Sequence, residues 1–407
     1  MGAVSAADDL FAHRMVDMSV LQARAYNYRW AVQAPGVIPL TAADPDFPVA
    51  PEIVEAVQRY LRSGYFCYGP AAGMPELREA VARRQRERYR PACLPEQVFV
   101  ANSAASALYL VAQFAINAPG EEAIIPDPVD FLLERSVLAA GGRVKRLRLH
   151  GERNFSFDPD ELEALITPGR TKLVSICNPH NPLGRVLRPA ELEALAGAAL
   201  RHGLWILADE VWSDIVYKPL VHTSIAALGP DVASRTFSVL GFSKGYGLAG
   251  LRLGLLIAPS RKVCQALLRL SHANDTAYGV STLSQVAGLA AYESAGGWLE
   301  RFMAHLLRQR DYAVGRLNQM DNVACHTPEG TYVLFPDVSP FGIDSERMAS
   351  ELADRHRVAV VPGSPAFFGP GAVGRLRLSF ATSREILAEG LDRLEAGLAE
   401  MAARRGA

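Results

Sequence analysis

Short apolar runs alternate with helix-like stretches through the middle of the chain, and this alternation constrains the fold more than any other feature of the sequence. The runs fall at residues 97–101, 123–126, 144–149, 173–177, 204–208, 236–240 and 251–258. Helices are predicted between them, for example over residues 105–116 and 189–202. Because strands that are buried on both faces read as nearly continuous apolar runs, the pattern predicts an α/β fold whose mostly parallel sheet is sandwiched by helices.

The last part of the chain has a different pattern, which predicts a second and smaller α+β domain. Helices are predicted over 298–319, 345–357 and the residues after Ser383, and strands over 332–335, 358–361 and 375–380. A length of 407 residues also suits more than one domain. We therefore divide the chain into an N-terminal segment (1–47), a large domain (48–290) and a small C-terminal domain (291–407).

Charge and cysteine content exclude several classes of protein. The 42 lysines and arginines nearly balance 43 acidic residues, so no overall field would draw the chain to nucleic acid or to an anionic membrane. The five cysteines are widely spread, and neither a CxxC pair nor an HExxH spacing occurs, so no disulfide framework or metal site is expected. No apolar run approaches the roughly 18 residues of a membrane helix, and the N-terminus does not read as a signal peptide. We expect a cytoplasmic protein that acts on a small molecule.

Residues that could bind a ligand or take part in catalysis follow the ends of four predicted strands, which is where ligands bind in open parallel sheets. Small residues at 102–106 open a helix and would let backbone N–H groups approach an anion such as phosphate, although an ordinary N-cap by Ser103 also explains them. The stiff Asn-Pro turn at 178–184 can hold an amide in one orientation. Asp209 could pair with a ligand cation, and Lys244 is a candidate nucleophilic amine of lowered pKa.

The segment 241–254, GFSKGYGLAGLRLG, resembles the lysine signature of the class I and II aminotransferases, which are pyridoxal 5′-phosphate (PLP) enzymes of the aspartate aminotransferase fold, fold type I. Further segments are similar to motifs of that family, and they extend over nearly the whole chain: 43–47, 68–78, 178–184, 209–211, 329–332 and 375–380. The resemblance implies a homodimer. It also implies that the large domain binds PLP and that segment 1–47 packs on the small domain and on the dimer partner.

The resemblance also implies roles for single residues. Lys244 would form the Schiff base with PLP and move a proton during the reaction, while Asp209 would keep the ring nitrogen protonated. Asn181 would hydrogen-bond the phenolic oxygen of the ring. Other cofactor contacts are implied for Ser103, Ala104, Ala105, Phe131, Trp212, Ser243 and Arg252, and for Tyr68, which would reach a phosphate across the subunit boundary.

Substrate binding is implied for three residues. Arg377 would hold the α-carboxylate of an amino acid through its planar guanidinium. Ala43 and Asn181 would lie beside the substrate. Asp130 and Tyr246 are further candidates for substrate contacts.

Three positions depart from the family pattern. Trp212 stands where a tyrosine is usual, and an indole N–H can donate a hydrogen bond but cannot accept one. Gly241 stands where a serine often donates to the phosphate. Asp130 stands where an aromatic residue stacks on the ring, so either Phe131 stacks after a shift of one residue or a carboxylate enters the site.

The sequence leaves the reaction open. The Tyr68–Arg78 and Lys244–Gly254 segments resemble aminotransferases. The Cys177–Pro182 and Asp209–Asp214 segments, and Trp30 with Ala43-Asp44, also resemble cystathionine β-lyase-type C–S lyases, although Arg252 is unusual there. Transamination is the first expectation. The alternatives are β-elimination from a cysteine S-conjugate and a specialised reaction such as decarboxylating oxidative deamination or cyclisation.

Overall fold

The computed structural model describes residues 10–89, 92–276 and 279–406, which divide into two compact units. The central unit comprises Val49–Asn181 and Arg185–Leu299, and the terminal unit comprises the residues up to Pro48, Pro182–Gly184 and Glu300–Ala407. The predicted domain boundary at 290/291 therefore differs from the division at 299/300. It falls inside a helix, Thr282–Ser294, which packs against the helix Pro51–Arg62 of the central unit.

Twelve strands are found among the described residues. They are β1 (Ile38–Pro39), β2 (Val98–Ala101), β3 (Glu122–Asp127), β4 (Arg143–Arg148), β5 (Thr171–Cys177), β6 (Trp205–Asp209), β7 (Thr236–Gly241), β8 (Gly254–Ile257), β9 (Val333–Leu334), β10 (Val358–Ala359), β11 (Val361–Pro362) and β12 (Leu376–Ser379).

The α-helices of the described residues number fifteen. They are α1 (Met18–Ala23), α2 (Tyr28–Ala31), α3 (Pro51–Arg62), α4 (Pro75–Arg88), α5 (Ala104–Ala115), α6 (Phe131–Ala139), α7 (Pro159–Leu165), α8 (Pro189–His202), α9 (Pro230–Ala233), α10 (Arg261–Leu270), α11 (Thr282–Ser294), α12 (Gly296–Leu317), α13 (Ser345–His356), α14 (Pro365–Phe368) and α15 (Arg384–Gly406).

The central unit is built on a seven-stranded sheet with the order β2-β8-β7-β6-β5-β3-β4. Its pairs are parallel except for those of β8, which runs antiparallel to both β2 and β7. Strands β2, β5, β6, β7 and β8 are almost wholly buried, as the apolar runs in the sequence predict. The mostly parallel α/β sheet is thereby confirmed, and the carboxyl ends of β2, β7, β6, β5 and β3 reach the same edge.

One predicted strand begins later than expected. The run 251–258 was predicted to be extended throughout, but β8 starts only at Gly254. The residues before it form a 3-10 turn, Ala249–Leu251, and Arg252 follows with a left-handed φ of +51°. A left-handed residue cannot continue a β-strand, so the apolar side chains of Leu251 and Leu253 misled the periodicity argument.

The terminal unit contains two small sheets. β1 pairs in parallel with β10, so the N-terminal segment is joined to the C-terminal part of the same unit. β12 lies between β11 and β9 and is antiparallel to both. Among the described residues, no helix of either unit is long and apolar enough to cross a membrane.

A buried ion pair fixes the N-terminal segment within the terminal unit. The Arg29 guanidinium contacts the Asp46 carboxylate at 2.9 Å, and both side chains are fully buried. Trp30 donates its indole N–H to the other carboxylate oxygen at 2.7 Å, and Arg29 also donates to the carbonyl of Pro39 at 2.8 Å. The carboxylate therefore has a charged and a neutral donor in a site without solvent, which is the condition under which a buried charge is tolerated.

We expect Asp46→Asn to lower the free energy of unfolding by about 3 kcal/mol, because it leaves the buried guanidinium without its counter-charge. The measurement is urea unfolding followed by circular dichroism. Asp392→Asn is the control, since the pair of Asp392 with Arg316 is exposed and worth less than about 1 kcal/mol. Equal losses for the two variants would contradict the importance given to the buried pair.

Candidate active site

Asp209 is the last residue of β6 and lies at the carboxyl edge of the central sheet. It pairs in register with Cys177 of β5 and Val239 of β7. Its side chain is buried, and one carboxylate oxygen accepts a hydrogen bond from the backbone N–H of Val211 at 3.2 Å. Three strands thus hold a carboxylate in a largely dry position at the edge where ligands bind in parallel sheets.

The surroundings of Asp209 disfavour its charged form. Burial is the main cause, and it raises the pKa of Asp209 from 3.8 to about 7. The nearby carboxylates of Asp130 and Glu210 act in the same direction, whereas the Val211 N–H and the Lys244 ammonium lower the pKa. A cation placed against Asp209 would therefore be bound strongly, because it would relieve a desolvated negative charge.

Lys244 follows β7 in the loop 242–253 that leads to β8. Its Nζ lies 5.2 Å from the ring centroid of Trp212, which is buried in the turn after β6. This distance allows a cation–π contact when the amine is protonated. Trp212, one of the departures from the family pattern, thus contacts the lysine that the sequence singled out.

The N-terminus of α5 lies at the same edge. Ser103 is the N-cap, and its hydroxyl oxygen accepts from the N–H of Ser106 at 3.0 Å. The N-cap explanation of this serine is therefore correct in itself. Ala104 and Ala105 have no polar side chain, so their backbone can be approached by an anion drawn to the helix dipole.

Gly254 lets β8 lie against this helix start. A Cβ atom on Gly254 would fall 2.2 Å from the carbonyl carbon of Ser103 and 2.3 Å from the nitrogen of Ala104. Its partner in register is Gly241, where an added Cβ would be in ordinary contact, 3.6 Å from the Cβ of Ala104. The first glycine is required by a backbone contact, whereas the second is not.

Ser243 and Arg252 belong to the same β7–β8 loop as Lys244. Ser243 is half-buried and Arg252 is exposed. Because Gly241 and Gly254 close this loop as paired residues, Arg252 returns to the sheet two residues before β8, near the start of α5 that adjoins Gly254.

Asn181 lies in the turn after β5 and contacts Asp130, the N-cap of α6. Its amide nitrogen donates to the Asp130 carboxylate at 2.9 Å. Phe131 is the first residue of α6, and the Arg135 guanidinium lies 4.3 Å from its ring centroid. Of the two possibilities left open by the sequence, this geometry favours a carboxylate at the site, while ring stacking by Phe131 stays a prediction.

Two tyrosines singled out in the sequence differ in their exposure to solvent. Tyr68 is 91% exposed on the surface of the central unit. Tyr246 is buried, and burial raises its pKa to about 12. It belongs to a cluster in which Arg84 forms an ion pair with Asp214, so it is less suited to a substrate contact than the sequence implied.

The same cluster contains a buried arginine of α4. Arg84 is largely buried, and its guanidinium lies 4.5 Å from the ring centroid of Tyr292. The alternation of Arg with Gln and Glu in the sequence hides this contact, because Asp214 is 130 residues away.

The structure adds one buried pair that the sequence gave no reason to connect. Glu210, which follows Asp209, lies 3.7 Å from the imidazole of His222, and both side chains are buried. Glu210 contributes to the site through its charge, which raises the pKa of Asp209. Its position directly after Asp209 is the only signal in the sequence.

Arg377 and Ala43 belong to the terminal unit. Arg377 lies on β12 with its side chain mostly buried, donates to the carbonyl of Thr41 at 3.2 Å, and has its guanidinium 5.2 Å from the ring centroid of Phe368. The carbonyl of Ala43 accepts from the hydroxyl of Tyr332 at 3.1 Å. A planar cation is thus held in a fixed orientation on a strand.

The donor set of the central unit fits PLP. The buried carboxylate of Asp209 suits a cationic ring nitrogen, and the amine of Lys244 suits the aldehyde. The bare start of α5, which Gly254 brings against β8, suits the phosphate. No group of three or more metal-ligating side chains lies together in the described part of the chain.

Comparisons with known proteins identify the family. The model of the aminotransferase class I and II family matches residues 35–394. The chain is 38% identical to the aspartate aminotransferase of Thermotoga maritima, over 88% of this chain and 90% of the relative. It is 34% identical to the arginine–pyruvate transaminase of Pseudomonas aeruginosa, over 91% and 92%.

A solved structure has the same fold. A PLP-bound protein from Clostridium difficile 630 superposes with a TM-score of 0.85 and 25% identity, covering 95% of this chain and 99% of that chain. The relatives carry the names of aminotransferases, and none of this favours a C–S lyase. The chain belongs to the aminotransferase class I and II family and is a PLP-dependent aminotransferase.

Proposed function

We propose that the amino-transfer chemistry of this chain is carried by Lys244 and Asp209, with Asn181, Trp212 and the start of α5 completing the cofactor site. Bound PLP supplies an electron sink that weakens the bonds at the Cα atom of an amino acid. The observation that carries the assignment is the buried Asp209 carboxylate, whose pKa is raised to about 7 and which has Lys244 among its charged neighbours. An ionised Asp209 would hold a proton on the ring nitrogen.

Lys244 is the residue proposed to move the proton. Its amine would anchor the cofactor and, after the substrate displaces it, accept the Cα proton and deliver it again. The ring of Trp212 lies close enough to stabilise the ammonium form between these two events. An indole N–H donates but cannot accept, so at the phenolic oxygen Trp212 could act only as a donor beside the amide of Asn181.

The phosphate is proposed to bind at the start of α5. Backbone N–H groups of Ala104 and Ala105, with the hydroxyls of Ser103 and Ser243, are available at that edge, and Arg252 would supply the positive charge. The close approach of Gly254 to Ser103 and Ala104 supports this, since it keeps the strand that follows Arg252 against the helix start.

The substrate is proposed to be an α-amino acid whose carboxylate is bound by Arg377. The fixed, mostly buried guanidinium on β12 supports this role, because a preorganised planar donor suits a carboxylate. Ala43, whose carbonyl is fixed by Tyr332, would line the same place. The relatives named above are an aspartate aminotransferase and an arginine–pyruvate transaminase, so family membership alone does not select the side chain of the amino acid. Residues particular to this chain must select it.

We also propose that the protein is a homodimer in which Tyr68 completes the site of the partner. Tyr68 is 91% exposed, and Tyr65 and Phe66 beside it are 74% and 63% exposed. Three neighbouring aromatic side chains in water indicate a surface that another chain covers. An open cavity of about 610 Å³, lined in part by Ala105 and Ser106, offers room for such a contact beside the start of α5.

We expect purified protein to convert an amino acid and a keto-acid acceptor into the paired products, and Lys244→Ala to lose this turnover together with the visible absorbance of bound PLP. The measurement is a product assay over a panel of amino acids and cysteine S-conjugates. Lys262→Ala on α10 is the exposed-lysine control. Release of pyruvate and a thiol without an acceptor would indicate a C–S lyase instead.

Asp209→Asn is expected to stabilise the protein without cofactor at alkaline pH while impairing turnover. The pKa of Asp209 is about 7 in the folded chain and near its ordinary 3.8 in the unfolded chain, so the folded state holds the proton more tightly between these values. The carboxylate therefore destabilises the fold increasingly as pH rises from about 4 to about 7, and a neutral amide does not.

The gain in the free energy of unfolding should be on the order of 3 kcal/mol at pH 8 and clearly smaller at pH 5. Urea unfolding of wild type and variant at both pH values measures it. A gain that was the same at pH 5 and pH 8 would contradict the raised pKa.

Gly241→Ser is expected to be tolerated and to tighten PLP binding about three- to tenfold, since its hydroxyl would give the phosphate another donor. The added Cβ would be 3.6 Å from the Cβ of Ala104. Gly254→Ala should instead weaken PLP binding and destabilise the fold by about 2 kcal/mol or more, because its Cβ would overlap the Ser103–Ala104 backbone. The two PLP affinities are measured by adding PLP to cofactor-free protein. Similar affinities for the two variants would be evidence against this phosphate site.

A further inference from the structure

Asp130 connects two loops of the candidate site through its side chain and through its backbone. Its carboxylate accepts from the side-chain amide of Asn181 at 2.9 Å. Its backbone N–H donates to the carbonyl of Asn181 at 3.2 Å. The loop between β3 and α6 is thereby tied to the turn after β5, and Asn181 is held at its backbone and at its side chain.

A helix cap alone does not require this arrangement. The first carboxylate oxygen of Asp130 caps α6 by accepting from the N–H of Leu132 at 3.1 Å. Asp344 caps α13 in the same way, accepting from Glu346 at 2.9 Å. The second oxygen of Asp130 instead contacts a residue 51 positions away in the chain. This second contact is unnecessary for starting α6.

The contact with Asp130 restricts what the amide of Asn181 can do. A primary amide has two N–H donors and one carbonyl acceptor in a fixed plane. With one N–H donated to Asp130, the plane of the Asn181 side chain is fixed, and the directions of its other groups are fixed with it. Asn181 is 7% exposed, so water competes little for this hydrogen bond.

Asp130 also brings a negative charge to this edge of the sheet. Its carboxylate is one of the groups that raise the pKa of Asp209, together with Glu210, while Lys244 acts in the opposite direction. The family pattern places an uncharged aromatic ring at this position. The exchange therefore changes both the hydrogen bonding and the electrostatics around the proposed cofactor.

We propose that Asp130 is a positioning residue that orients the Asn181 amide toward the cofactor and supplies a negative charge at the cofactor site. The inference rests on the proposed function, because it assumes that Asn181 contacts PLP. Asp130 acts through Asn181 by a hydrogen bond and on bound cations by its charge. No role as an acid or base is required of it.

Two variants separate these effects from the helix cap. Asp130→Ser keeps an N-cap residue but is too short to reach Asn181, and Asp130→Asn keeps the cap and an acceptor but removes the charge. Asp344→Ser is the matched control, since it alters a cap that lies in the terminal unit. The readouts are the dissociation constant for PLP and the pH titration of the visible absorbance of the bound cofactor, both without substrate.

We expect Asp130→Ser to weaken PLP binding about tenfold and Asp130→Asn to weaken it less. Both should lower the apparent pKa of the visible band by about one unit, because a negative charge that stabilises protonated forms is lost. Asp344→Ser should change neither quantity. Wild-type affinity and wild-type titration in both Asp130 variants would reduce Asp130 to a helix cap and overturn the proposal.

A double-mutant cycle with Asn181→Ala tests whether the affinity effect passes through the amide. If it does, Asp130→Ser should change the PLP dissociation constant less than about twofold in the Asn181→Ala background. Losses that simply multiply in the double variant would overturn the positioning role. Absence of transamination in a wild type that binds PLP would refute the proposed reaction and leave these two readouts unaffected.

Discussion

A desolvated carboxylate at the end of β6 is the constraint on which the rest of the site depends. Asp209 lies where three parallel strands meet the solvent edge, and its burial together with Asp130 and Glu210 makes its charge unfavourable in the protein alone. A fold that holds such a group must be stabilised elsewhere, and the apolar strands of the central sheet provide that. The arrangement becomes favourable when a cation lies against the carboxylate, so in the proposed role of Asp209 cofactor binding would stabilise the central unit.

The terminal unit contains sequence motifs that two enzyme classes have in common because the motif residues serve packing. Trp30 and the segment around Ala43 and Asp44 resemble C–S lyases as well as aminotransferases. In the structure, Trp30 and Arg29 both donate to Asp46, and Asn27 donates to Asp44. These residues fix the N-terminal segment inside its unit. They therefore discriminate poorly between the two reactions, and the family comparison decides for aminotransferase.

Much of the fold could be predicted because local patterns and tertiary burial agree. Strands buried on both faces require apolar residues at every position, so β5, β6 and β7 were found within a few residues, and α8 was predicted with its observed bounds. Lys244 and Asp209 were singled out because they are polar residues close to the ends of such strands, and their roles stay a proposal. The features that were missed involve distant partners. Neither the burial of Arg84 against Asp214 nor the link of Asp130 to Asn181 leaves a periodic signal, and the late start of β8 depends on the backbone of one residue, Arg252.

The pairing of Gly241 with Gly254 brings the two ends of the loop between them together at neighbouring positions in the sheet. The two ends of this loop belong to neighbouring buried strands, while Lys244 and Arg252 lie within the loop. The length of this loop therefore limits how far apart the Lys244 amine and the Arg252 guanidinium can lie. One inserted or deleted residue in 242–253 would leave the sheet pairing intact yet alter the distance between the Lys244 amine and the Arg252 guanidinium, which in the proposed roles must match the aldehyde and phosphate ends of PLP. In the proposed roles, the spacing of eight between the two residues is matched to the size of the cofactor molecule, whereas the pairing of the two strands does not require it.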